Sequence, residues 1–242
     1  MRNGSAARSW ILPGAVSAVM VALALVSVSP ALCQETGVAQ SSGSEEKSGP
    51  VVNYMYRYLK MTNEGKPDEF RPLTQEERNK DFAHSWINPV WHVRGAASAA
   101  FNQWHDTPEE WEQGASGYGK RYADIMGQYA IRQSVMFGFE SLLHEDNRYF
   151  ASGKKGFGPR VGYALSSGIL ARHDNGKRYP SASLLGGIAS GAVISRIWQP
   201  PSRSSLGDAA SSFDISMGWN IGFGVLKEFL PDMLRPILGK KP

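Results

Sequence analysis

Residues 117–147, GYGKRYADIMGQYAIRQSVMFGFESLLHEDN, decide how this chain is read. Tyr118, Tyr122, Ile125, Tyr129, Arg132, Met136, Phe139 and Leu143 recur at alternating steps of four and three, the spacing that lines one face of an α-helix. Gly127, Ser134, Gly138 and Ser141 fall on another side, where small residues let a second helix come close. A helix with two contact faces belongs inside a bundle. The segment therefore predicts a long central helix through the 117–147 region of an all-α fold.

The flanking segments agree with that reading. Thr74-x-x-Glu77 is a capping box, and the helix it starts should stop near Asn88-Pro89, because a residue before proline is pushed out of helical geometry. Residues 90–104 can restart it, with Gly95, Ala96, Ala97, Ala99 and Ala100 as a close-contact surface. Asp106-Thr107-Pro108-Glu109-Glu110 carries every mark of a helix start: a cap residue, a proline where no donor is needed, and acids at the positive end of the dipole.

Beyond the central helix, Gly153, Gly156 and Gly158 predict a loop, and residues 160–172 a helix or a strand. Asn175-Gly176 signals a turn that could close a hairpin. Against the hairpin, Ser183, Gly187, Gly191 and Ser195 recur every four residues, which is a helix-contact ladder. Gly218 and Gly222 form a second small-residue pair, in a helix expected over about 207–230 and stopped by Pro231. The expected architecture is a single helical domain over 51–242 with Gly/Ala/Ser helix contacts.

The first 33 residues read differently. Arg2 and Arg8 precede an almost wholly apolar run from Ile11 to Val28, closing on Ala31-Leu32-Cys33 before Gln34, with no acid before Glu35. That is the grammar of an export signal cleaved near Cys33 and Gln34. The alternatives are an uncleaved N-terminal anchor, against which Pro13-Gly14 and Pro30 speak, and a lipid on Cys33, for which Leu32 is a poor neighbour. Residues 34–50, QETGVAQSSGSEEKSGP, have almost nothing to bury and read as a disordered linker. Val52, Tyr54, Tyr56 and Tyr58 alternate as in an extended arm, and residues 51–72 are taken as arm and loop.

Removing the signal changes the chemistry on offer. The chain has 26 Lys and Arg against 22 Asp and Glu; without Arg2 and Arg8, 24 face 22, a net charge of +2. Such a thin, spread charge gives no footprint for nucleic acid. The only cysteine leaves with the signal, so disulfides, thiol catalysis and thiolate metal sites are not expected. The expected address is the periplasm or outer envelope. Seven tryptophans suit either a packed core or a peripheral membrane or envelope partner. The oligomeric state is left open.

Leu143-His144-Glu145-Asp146-Asn147-Arg148-Tyr149-Phe150, then Arg160-x-Gly-Tyr-Ala, then Val225-Leu226-Lys227-Glu228-Phe229-Leu230-Pro231-Asp232, resemble an uncharacterised group of exported acidobacterial proteins over roughly residues 70–235. The resemblance implies export and one shared domain. It implies no activity, cofactor or catalytic residue.

Two places could carry chemistry. Arg132 interrupts the apolar seam, and a buried guanidinium needs a partner. It is either a structural ion pair, a side chain snorkelling to the surface, or a clamp for an anionic group. Asp124, Gln128, Arg132, Glu140 and His144 lie at multiples of four along the same helix. His144 with Glu145 or Glu140 could act as a base with an orienting acid. Neighbouring helical side chains point about 100° apart, however, so the plainer reading is a polar helix end with Asn147 as left-handed cap. His84, His92 and His105 read as packed neutral histidines. No metal site and no cofactor are expected, and neither a nucleophile elbow nor a phosphate loop is present in the sequence. The expected role is a non-catalytic structural or binding protein of the cell envelope. The alternative is an envelope hydrolase or lipid-active enzyme using His144, a nearby carboxylate and Arg132.

Overall fold

The computed structural model describes residues 70–238. The expected export signal (1–33), the expected linker (34–50) and all of the expected arm except residues 70–72 lie outside the described residues. Six α-helices and one small sheet make up the described chain, in agreement with an all-α domain. Helix α1 spans Gln75–Ile87 and α2 Pro89–Trp104; a short 3-10 turn, Glu109–Trp111, leads to the long α3, Gly114–Leu143. Strand β1 is Glu145–Asp146, α4 Phe157–Ser167, β2 Leu170–His173, β3 Arg178–Pro180, α5 Ala182–Ile194 and α6 Leu206–Leu238.

Local chemistry sets the first boundaries. The Thr74 hydroxyl accepts the Glu77 N–H at 3.3 Å while the Glu77 carboxylate accepts the Thr74 N–H at 2.9 Å, completing the capping box. Asn88, held extended before Pro89, ends α1, and its side chain accepts the Val90 N–H at 3.0 Å to begin α2.

Helix α3 packs against α1, α2 and α5, while α6 packs against α4 and α5. Helix α5 is thus held on two sides, by α3 and by α6, and Ser183, Leu184, Gly187, Ile188, Gly191 and Ala192 are buried along it. At Gly187 a Cβ would collide with the Met136 side chain and stand 2.9 Å from the Arg132 carbonyl; at Gly191 it would stand 3.0 Å from the Gln128 carbonyl. Only glycine permits backbones to approach that closely. By contrast, a Cβ at Gly218 or Gly222 meets nothing within 4 Å, so that expected pair makes no close contact.

Four boundaries differ from the sequence expectation, each for a physical reason. Helix α3 ends at Leu143, and its left-handed cap is His144 (φ 54°, ψ 38°), not Asn147. The next two residues pair with β2 instead of extending the helix, Glu145 opposite His173 and Asp146 opposite Arg172. Asp106–Glu110 does not open the long helix, because the segment wraps around the buried Arg121. That guanidinium donates to the carbonyls of Thr107, Glu112 and Pro108 at 2.6–2.9 Å, to Gln103 Oε1 at 2.6 Å and to Asp106 at 3.2 Å. Pro231 does not stop α6: it forgoes one backbone donor, and the helix continues to Leu238. Finally, hairpin and helix ladder coexist. The Asn175-Gly176 turn joins β2 to β3, with Gly176 at φ 75°, and Ser181 then caps α5 by accepting the Leu184 N–H at 3.0 Å.

Candidate functional site

The polar residues of the 144–148 segment meet the start of α5 and the facing sides of α1 and α3. Glu145 is buried, and its carboxylate lies across the first turn of α5. It accepts the Ala182 N–H at 3.0 Å, the Ser183 N–H at 2.8 Å and the Ser183 hydroxyl at 2.5 Å. A helix start offers unpaired N–H groups and the positive end of its dipole, so a carboxylate there is well placed. Burial alone would raise the Glu145 pKa, but the hydrogen bonds from Ser183, Ala182 and Ser181 outweigh it and hold the group below the ordinary value. Asp146, also buried, is gripped by the Arg148 side chain at 2.7–3.0 Å. Asn147 bridges the two halves, donating at 2.7 Å both to Glu140 Oε1 and to Ser183 Oγ.

Beside this segment a cavity of about 200 Å³ opens between α1 and α3. Its apolar wall includes Met136 and the stacked rings of Phe82 and Phe137, whose centroids are 4.5 Å apart. Its polar wall carries Arg78, Asp81, Glu140, Glu145, Asp146 and Arg148. Arg78 is buried and donates Nη1 to the Glu145 carbonyl, while its Nη2 has no hydrogen-bond partner. Burial pushes the Glu140 carboxyl up to about 7; Asn147 and Arg78 pull it down, and Asp146 and Glu145 add to the rise. Burial likewise raises Asp81. A carboxyl titrating near neutral pH is the property of a general acid or base. The hydroxyl nearest to Glu140 through Asn147, that of Ser183, donates to the Glu145 carboxylate at 2.5 Å, and His144 does not line the cavity.

The sequence candidates separate. Glu140 and Glu145 share the cavity wall, but neither His144 nor Arg132 lines it. His144 projects into solvent, its side chain 65% exposed, with Asp174 at 3.2 Å as its carboxylate neighbour. Arg132 lies twelve residues earlier on α3, about 18 Å along the axis. Its Nη2 donates to Asn220 of α6 at 3.2 Å and its Nε has no partner. Burial lowers its pKa to about 10, with the Arg94 charge adding to the effect. It is neither an ion pair nor a surface side chain. His84, His92 and His105 are exposed rather than packed in an interface: His92 bonds the Tyr122 hydroxyl at 3.0 Å and the Trp86 carbonyl at 3.1 Å, and His105 lies against the Phe101 and Trp104 rings. Among the described residues no group of three or more His, Cys, Asp or Glu is placed to hold a metal.

Two further buried charges, Arg121 and Glu228, tie distant segments together. Arg121 organises the 103–112 segment, as described. Glu228 of α6 accepts from the Tyr149 hydroxyl at 2.7 Å, the Ser152 hydroxyl at 2.5 Å, the Ser152 N–H at 3.0 Å and Arg160 Nε at 2.9 Å. Arg160 continues to Asp232 at 2.6 Å. Tyr149, Arg160 and Glu228 each come from a different one of the three strings quoted from the sequence, and they meet at one point. In the sequence the three stand in separate strings with nothing to link them; only the fold joins them.

No protein-family model matches the chain, and no curated protein or solved structure matches it.

Proposed function

We propose that this is an exported, non-catalytic component of the cell envelope with a structural or binding role. The observation that carries the reading is the scattering of the candidate catalytic groups: His144 in solvent, Glu145 locked into the α5 cap and Arg132 on another face against α6. The close α3–α5 contact at Gly187 and the interior links through Glu228 and Arg121 support a rigid body rather than a reactive cleft. The N-terminal grammar and the acidobacterial resemblance support export. Among the described residues no helix is long and apolar enough to cross a membrane.

Two measurements test this. Fractionation of expressing cells, with N-terminal sequencing of the purified product, should find the chain in the envelope or periplasm and starting near Gln34; a cytoplasmic product with Met1 intact would refute export. The purified protein should turn over none of a panel of chromogenic carboxyl, phosphate and glycosyl esters. Turnover that disappears in both His144→Ala and Glu140→Gln would restore the hydrolase alternative.

A further inference from the structure

Arg172 on β2 and Arg178 on β3 are direct cross-strand partners, so their side chains share one face of the sheet. Like charges placed directly opposite destabilise a strand pair. The next residue in that row is Asp146, opposite Arg172 on β1, but its carboxylate is already occupied by three hydrogen bonds from the Arg148 side chain. Among the described residues neither Arg172 nor Arg178 has a carboxylate oxygen within 4.0 Å. Their partners are neutral. Arg172 donates to the Gly176 carbonyl at 3.1 Å and the Tyr163 hydroxyl at 3.5 Å; Arg178 donates to Ser167 Oγ at 2.9 Å and Ser166 Oγ at 3.1 Å.

A third cation joins them. The Arg178 guanidinium lies 4.6 Å from the Tyr163 ring centroid and the Lys154 ammonium 5.6 Å from the same ring. Phe70 and Phe150 flank Arg172 at 5.5 and 5.2 Å, so aromatic faces fix the guanidinium without neutralising it. Both arginines are half-buried, and Lys154 is exposed at the rim. Burial lowers the Arg178 pKa, and the Arg172 charge adds to that effect. Two partly desolvated guanidinium groups and an ammonium around one phenol, with no carboxylate partner among the described residues, form a site short of negative charge there.

We propose that Arg172, Arg178 and Lys154 form a binding site for a phosphate-type anion. Arginine forks match the oxygens of phosphate two at a time, and a dianion is what three uncompensated cations call for. The same chemistry is presented by free phosphate and by the phosphomonoester headgroup of a lipid. It goes beyond the envelope role proposed above and stands apart from it, since neither the cavity nor the export signal enters the argument.

The test uses the purified protein in two arms. One is calorimetric titration with inorganic phosphate, paired with the thermal midpoint with and without phosphate. The other is co-sedimentation with vesicles of phosphatidylcholine alone and of phosphatidylcholine with phosphatidic acid. Binding in the first arm identifies a free anion and binding confined to the phosphatidic acid vesicles identifies a headgroup; either supports the site. Arg178→Gln and Lys154→Gln should each weaken that binding by about tenfold or more, the loss of one charge-assisted contact. Arg178→Lys should retain part of it. Phosphate should raise the midpoint of the unaltered protein and leave that of Arg178→Gln unmoved. Lys154 is exposed, so its variant reports on binding even if an Arg178 variant folds poorly. The proposal is overturned by no binding in either arm, or by binding that both Gln substitutions leave unchanged.

Discussion

Tyr149 donates its phenolic proton to Glu228 at 2.7 Å, closing a gap of 79 residues between the loop after β1 and the last helix. Both side chains are buried, and burial together with the Glu228 charge holds the phenol well above its ordinary pKa. Tyr149→Phe removes one donor and leaves Glu228 its contacts with Ser152 and Arg160, so it should cost about 1–2 kcal/mol in urea unfolding. Glu228→Gln also strips Arg160 of its main charge partner and should cost more, about 3 kcal/mol. The reverse order would mean that the tyrosine ring, rather than the carboxylate, organises this junction.

Glu145 should behave as a remote helix cap. Glu145→Ala orphans the first N–H groups of α5 together with the Ser183 hydroxyl, at a cost of about 3 kcal/mol. The acid dependence follows from direction alone. A carboxyl held below its ordinary value of 4.5 contributes stability that is present above that pH and lost as pH falls through the folded value. The unaltered protein should therefore lose stability on acidification below about pH 4.5 more steeply than Glu145→Gln. Parallel pH profiles for the two proteins would contradict the cap.

Glu140 predicts the opposite slope at higher pH. Its carboxyl is raised from 4.5 to about 7, so between those values the folded chain holds a proton that the unfolded chain has released. Stability should fall as pH rises through that window and level off above it, by on the order of 3 kcal/mol in total. Glu140→Gln mimics the protonated form and should flatten the profile between pH 5 and 8. Chemical denaturation across that range decides; an unchanged slope in the variant would locate the titrating group elsewhere.

What could be read in advance depended on how local the cause was. The Thr74–Glu77 box and the Asn88-Pro89 break were legible because each boundary is set within four residues. Asp106–Glu110 misled because its helix-start grammar is sound, yet five acceptors are gathered around Arg121, and that demand overrides local preference. The role of Glu145 was hidden for a different reason. A carboxylate that caps a helix 37 and 38 residues later leaves no mark near itself. Arg172 and Arg178 look unremarkable until the hairpin register places them opposite each other. Arg132 alone was conspicuous from its sequence position, because it breaks an apolar repeat.

Gly187 and Gly218 should respond oppositely to the same substitution. Both sit inside helices, where alanine is intrinsically preferred by about 1 kcal/mol. At Gly187 a methyl group would strike Met136 and press on the Arg132 carbonyl, and backbone cannot move aside as a flexible side chain can. Gly187→Ala should therefore destabilise by about 1–3 kcal/mol. At Gly218 a Cβ meets open space, so Gly218→Ala should stabilise by about 0.5–1 kcal/mol. Equal effects at the two positions would show that α3 and α5 are not in close contact in solution.

Arg132 supplies the sharpest test of whether a buried charge here is structural. It has one hydrogen bond, to Asn220 at 3.2 Å, an unpartnered Nε, and a like charge at Arg94 that helps lower its pKa. A pair of ions in the interior can repay part of its desolvation; a lone cation with a neutral partner repays little. Asn220 is not left empty by its removal, since its Nδ2 donates to the Gly168 carbonyl at 2.9 Å. Arg132→Met keeps the length and apolar stem of the side chain while removing the charge, and should be neutral or stabilise by about 1 kcal/mol. Arg132→Ala should destabilise by about 2 kcal/mol through the cavity it leaves. If the methionine variant is instead clearly less stable than the unaltered protein, the guanidinium is engaged by an acceptor beyond Asn220, and Arg132 becomes a binding residue after all.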